Sequence, residues 1–172
     1  MHIPLQYRLR DNGIFPNSKL PVLLYKNALS LPFLFPGHAV KKLFSQHGWT
    51  NNWISGFFTY NHYHSNTHEV IGVVSGKTNI QLGGDNGVRL EICSGDVLII
   101  PAGVAHKNMG KEKDIICVGG YPDGKRYDIN IGSDGERPQT DKNISAVAVP
   151  STDPIMGNNA GLLLLWRNLI AE

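Results

Sequence analysis

The chain has 172 residues, 41% of them hydrophobic and 17% charged, and a formal net charge of +2. This length suits one domain with terminal extensions, and so small a charge argues against nucleic acid or an anionic membrane as a partner. With 19 glycines and 10 prolines the chain must turn often between short segments, which leans toward an all-β protein.

The segment Met1-His2-Ile3-Pro4-Leu5-Gln6-Tyr7-Arg8 has no apolar core of the kind a secretory leader carries, so a cytoplasmic protein is expected. Residues 1–36 are rich in Pro and turn formers, with one short strand expected at Pro21-Val22-Leu23-Leu24-Tyr25. Residues 38–47 read as a helix between Pro36-Gly37 and Gly48, with Ala39, Val40, Leu43 and Phe44 on one face. From Trp53 to Tyr121 the pattern changes to strands, expected at 53–60, 69–75, 77–82, 88–93, 96–100, 104–109 and 114–121. Gly, Asn and Asp clusters such as Gly83-Gly84-Asp85-Asn86-Gly87 separate them. The chain then turns polar until about residue 143. A further strand is expected at 144–149, and the run Leu162-Leu163-Leu164-Leu165-Trp166 must be buried against the barrel or a second subunit. That run is too short to span a bilayer. Cys93 and Cys117 sit in apolar runs without C-x-x-C spacing and read as free thiols.

Two clusters carry chemistry. The first is Gly56, His62, His64, Glu69 and Gly76; the second is Gly95, Pro101, Gly103 and His106. Strand side chains alternate faces, so His62 and His64 project to one side, and after four intervening residues the chain reaches Glu69, whose face Ile71 and Val73 share. His106 follows a Pro-x-Gly turn that re-aims the chain. Three imidazoles and a carboxylate converging inside a barrel are costly unless a cation pairs them. Nitrogen and carboxylate donors without thiolate suit one divalent transition metal: Fe, Mn, Ni, Zn or Cu. His68 is an alternative ligand, but that register would leave Glu69 on the opposite strand face. Phe58 and Tyr60 share the face of His62 and His64, as core or pocket lining. Asn108 shares the face of His106 and is a candidate contact to ligand or metal-bound water. The direction of Tyr121, at the end of a strand, stays open.

These spacings resemble the two signature motifs of the cupin superfamily, Gly-x5-His-x-His-x(3,4)-Glu-x6-Gly and Gly-x5-Pro-x-Gly-x2-His-x3-Asn. The first fits without a gap; in the second, Gly110 stands where the pattern has Asn. The run Leu20–Tyr25, the segment His62–Val70 and the terminal Leu-Leu-Trp-Arg are further similar to the YjlB-like branch of cupins. The resemblance implies an RmlC-like, all-β antiparallel barrel or jelly roll forming one domain: arm and helix over 1–52, barrel over 53–121 and a packed extension over 122–172. One or two short helices would lie outside, and the protein would be a homodimer. It also implies a metal site at His62, His64, Glu69 and His106, and a small organic molecule as ligand. The fold hosts many chemistries. A metal-dependent oxidoreductase of dioxygenase type leads, with Tyr60 as the candidate general base. A non-catalytic ligand-binding or sensing protein with a structural metal, and a metal-free sugar-type isomerase, are the alternatives.

Overall fold

The computed structural model describes residues 3–158 and 160–170. Eight strands dominate it: β1 (Leu5–Leu9), β2 (Ser18–Tyr25), β3 (Trp49–Ser55), β4 (Glu69–Leu82), β5 (Val88–Cys93), β6 (Val97–Ile100), β7 (His106–Asn108) and β8 (Ile115–Pro122). Three α-helices accompany them, where one or two were expected: α1 (Pro36–Gln46), α2 (Gln139–Ala146) and α3 (Leu162–Ile170), with a short 3-10 helix at Glu112–Asp114. No helix among the described residues is long and apolar enough to cross a membrane.

All strand pairs are antiparallel, and the main path runs β1-β2-β6-β4-β8-β3. The fourteen-residue β4 organises the rest. Its first half pairs with β6 and β8, and its second half with β5 and β7. The sequence reading divides this strand in two at Ser75-Gly76. Gly76 does take a left-handed φ of 80°, and a register shift lies between Val73 and Ser75. Pairing resumes beyond it, so the chain bends there and does not turn. The product is an all-β jelly roll of two sheets sharing one strand. The sheet does not close on itself, because β1 and β3 end the path as free edges.

The shared strand is apolar on both faces because both are covered. Ile71, Val73, Leu98, Ile100 and Cys117 point into the space between the sheets, with Ile80, Leu82 and Ile92 from the second sheet. Their neighbours Val70, Val97, Ile99 and Val118 point the other way, onto Val40 and Phe44 of α1 and onto Leu162, Leu163 and Trp166 of α3. Each buried leucine of α3 contributes roughly 1.5–3 kcal/mol. The Trp166 indole N–H donates to the Pro21 carbonyl at 3.0 Å. The C-terminal apolar run is thus used within its own subunit.

Several expectations need correction. The strand expected at 53–60 runs instead over Trp49–Ser55. Beyond it the Glu112 backbone occupies the place of a Cβ at Gly56, and the chain leaves the sheet there. The strand expected at 144–149 is the end of α2 followed by unpaired chain. Ile144 anchors that helix against Phe15, Tyr63 and Ala105, so its apolar residue serves a helical face. β1 has no counterpart in the sequence reading; it is an edge strand whose first residues are exposed, and its pattern is correspondingly weak.

Candidate metal centre

Residues 62–64 run alongside the start of β7. His62 and His106 exchange backbone hydrogen bonds at 3.2 and 2.9 Å, while Tyr63 does the same with Asn130 on the other side. Alternation then turns His62 and His64 inward, and sends Tyr63 outward to donate to Glu136 at 2.8 Å. Glu69 opens β4 on its inner face, and His106 opens β7. One ligand atom from each of His62, His64 and His106 lies within 4.8 Å of the others, and all three residues are buried.

Backbone carbonyls set the orientation of these rings. The Nδ1 of His62 faces Tyr60 O at 3.1 Å, that of His64 faces Asp128 O at 2.5 Å and that of His106 faces Val104 O at 2.9 Å. A carbonyl only accepts, so each Nδ1 carries a proton and each Nε2 is the ring atom left to face the centre. Glu69 Oε2 stands 3.3 Å from Nε2 of both His64 and His106. Its other oxygen accepts from the Tyr121 hydroxyl at 2.7 Å, and that hydroxyl accepts from the Trp53 indole N–H at 2.8 Å. Glu69 Oε2 and His106 Nε2 are buried without a hydrogen-bond partner among the described residues.

The electrostatics follow from this packing. Burial, with His106 beside it, pushes His62 down to about 3 and keeps it neutral. Burial opposes charge on His64 too, but the Glu69 carboxylate outweighs it and raises the ring above its ordinary value. Burial likewise opposes ionisation of Glu69, yet the facing imidazoles, His64 first, hold it well below the usual carboxylate range. Tyr121 is raised by burial and by Glu69, so its hydroxyl stays protonated and donates. The residues fit a divalent metal: three nitrogen donors and one carboxylate oxygen, with two bare atoms face to face at their centre. Cys117 lies on the same side of β8, but burial pushes its thiol up to about 12, and it packs as an apolar side chain.

A family model described as Cupin matches residues 55–133. The uncharacterised protein YjlB of Bacillus subtilis (strain 168) is 39% identical over 161 residues, which is 93% of this chain and 94% of that protein. This chain is a cupin of the YjlB-like branch. Among solved structures, acireductone dioxygenase from Bacillus anthracis, with a cadmium ion in its active centre, is 15% identical with a TM-score of 0.38 over 52% of this chain and 60% of that one. A mutant of Bacillus subtilis oxalate decarboxylase is 19% identical with a TM-score of 0.38 over 64% of this chain and 27% of that one. Each match spans less than two thirds of the solved chain.

In this cupin the other candidate residues divide sharply. Tyr121 points into the centre and bonds Glu69. Phe58 is 39% exposed and Tyr60 46%, with stacked rings 5.1 Å apart, because the chain has left the sheet before reaching them. Phe58 lines the rim of the site cavity; Tyr60 meets the His62 ring at 5.4 Å but does not line the cavity. Asn108 is spent on a turn: its oxygen accepts from Thr78 at 2.7 Å and from Gly110 N–H at 2.9 Å, and its amide donates to Lys111 O at 2.9 Å. His68 faces away from the centre, beneath α3. Its Nδ1 accepts from Ala102 N–H at 3.0 Å, its Nε2 donates to Ala148 O at 3.2 Å, and its ring lies 4.8 Å from that of Trp166. Both nitrogens are satisfied, so neither is free to bind a metal.

Five contributors escaped the sequence reading. Phe57 stacks on His106 at 5.8 Å, and the Trp53 indole supports Tyr121. Gly119 makes room for the Trp53 indole, which fills the place of its Cβ. Tyr127 stacks on Tyr121 at 4.7 Å, and Asp128 holds His64 through its carbonyl. Tyr127 and Asp128 lie in the polar stretch after β8, where no periodicity marks them.

Proposed function

We propose that His62, His64, Glu69 and His106 hold one divalent transition metal, and that this cupin is a metal-dependent enzyme acting on a small organic molecule, with oxygenase-type chemistry leading. One observation carries the reading: Glu69 Oε2 and His106 Nε2 are both buried, both without a partner among the described residues, and 3.3 Å apart. Leaving a buried polar atom unsatisfied costs about 1–3 kcal/mol, and one shared cation removes both costs. Bound there, a metal supplies Lewis acidity and open positions for water, substrate or dioxygen.

The chain's own residues do the positioning. The carbonyls of Tyr60, Val104 and Asp128 fix the three imidazoles in one tautomer. Tyr121 occupies Glu69 Oε1 and leaves Oε2 for the centre. Trp53, Phe57 and Phe58 give the cavity aromatic walls. His62, His64 and Glu69 line the cavity, which supports an accessible centre over a closed structural one. A metal-free isomerase would need Tyr60 to face the ligand, and that phenol does not line the cavity. The homodimer belongs to the same proposal; its supporting surface is now the exposed Phe33-Leu34-Phe35 before α1, since Leu162, Leu163 and Trp166 of the C-terminal run are buried within the chain. Sedimentation at the mass of one chain would remove it.

The test is elemental analysis of the purified protein, then an oxygen-uptake screen of small organic molecules after loading with each of Fe, Mn, Ni, Cu and Zn. About one metal per chain and uptake with at least one compound are expected. Failure to take up any of the five metals would overturn the centre. Tight loading without turnover would put the ligand-binding alternative in its place.

A further inference from the structure

The cavity beside the centre has walls unsuited to many ligands. It measures about 190 Å³. Trp53, Phe57, Phe58, Tyr121 and Tyr127 supply most of its wall, together with Ile71. Neither lysine nor arginine lines it among the described residues, and its one acidic group is Glu69, a proposed ligand of the centre. The Tyr121 hydroxyl already has both its partners, Glu69 and Trp53.

We propose that this cavity selects a flat, single-ring molecule bearing one or two hydroxyl or carbonyl oxygens and no carboxylate or phosphate. Such a molecule would be the substrate of the enzyme proposed above, and in that respect the inference rests on that reading. Size sets the first guide: a closed apolar cavity of about 150 Å³ holds one benzene, so about 190 Å³ beside the centre accommodates one ring with small substituents, its far edge at the open rim. Charge sets the second. A dicarboxylate or a sugar phosphate brings several acceptor oxygens, of which one or two could reach the centre. The rest would lose water against ring carbons, with no cationic side chain to replace it. Shape sets the third, because offset-stacked and edge-to-face contacts with Tyr127, Phe58 and Trp53 favour a planar ring over a puckered one.

The experiment uses the full chain in two forms, stripped with EDTA and reloaded with zinc. Catechol and oxalate are the probes, followed by ligand-observed NMR and by quenching of Trp53 fluorescence. Catechol should bind both forms, more tightly when zinc is present, and oxalate should bind the zinc form at least tenfold more weakly than catechol does. Tyr127→Ala should weaken catechol binding to the stripped form by about two- to tenfold, the range one aromatic contact provides. Phe58→Ala serves as a second rim variant, and both side chains are exposed enough to be removed without unfolding the core. Oxalate binding as tight as catechol, or catechol binding unaffected by both rim variants, would overturn the inference. Failure to load zinc with catechol binding retained would instead count against the metal centre alone, because the stripped form tests the walls without it.

Discussion

Two buried histidine environments lie a few residues apart and differ in one respect. His68 sits under α3 with both nitrogens bonded, against Ala102 N–H and Ala148 O, and its ring packed by Trp166. His64 and His106, on the other side of the sheet, each spend only Nδ1 on a backbone carbonyl and aim Nε2 at Glu69. Burial alone therefore does not mark a site in this protein. Bare inward-facing atoms do, since a folded chain leaves a buried polar group unsatisfied only where something else is to satisfy it.

The largest expected effect separates the two environments directly. His64→Ala should lose most of its bound metal, from about one per chain toward none by elemental analysis, while His68→Ala should keep full occupancy and lose stability. Metal retained in the first variant, or lost in the second, would reverse the assignment. The next effect is one of pH. Burial holds His68 down at about 4 in the folded chain, against an ordinary value of 6.5. Between these values the unfolded chain binds a proton that the folded one refuses. The His68 contribution is therefore complete above pH ~6.5 and is lost as pH falls toward 4, by about 1.4 kcal/mol per pH unit and about 3 kcal/mol in all. His68→Gln keeps a neutral donor and acceptor and should reduce the slope in urea unfolding by the His68 share, leaving that of His62; an unchanged slope would mean His68 is not one of its sources.

A smaller effect is expected at Tyr121→Phe. Freeing Glu69 Oε1 should weaken metal affinity by about 10- to 100-fold, the usual cost of losing a group that orients a ligand, without changing the fold by circular dichroism. Titration of stripped protein with zinc measures it, and wild-type affinity would show that Glu69 holds its orientation unaided. The smallest is Asn108→Ala, which should lower stability by about 1–2 kcal/mol through the turn it closes and leave metal content alone. Loss of metal there would return Asn108 to the centre.

The buried cluster of His62, His64 and His106 was legible because its residues obey short spacing rules. His62 and His64 share a face by strand alternation, and Glu69 sits in phase with Ile71 and Val73, so period-2 counting placed them without coordinates. The same counting failed at Phe58 and Tyr60. Alternation holds only while the chain stays in the sheet, and β3 ends at Ser55, just before Gly56 passes close to the Glu112 backbone. It failed again at Ile144, whose apolar neighbours in sequence suggested a strand although their contacts belong to a helix.

What the amino-acid order decided by itself was local: the turn glycines, the apolar strands, and the residue types and spacings that put three imidazoles and a carboxylate on inward faces. Which atoms of those residues stay bare was decided only by the tertiary structure. Tyr60, Val104 and Asp128 claim the Nδ1 atoms with carbonyls, Tyr121 claims one oxygen of Glu69, and α3 covers His68. Most of these partners lie on other elements, and a backbone carbonyl offers the same hydrogen bond whatever its side chain, so composition leaves no trace of where it will point.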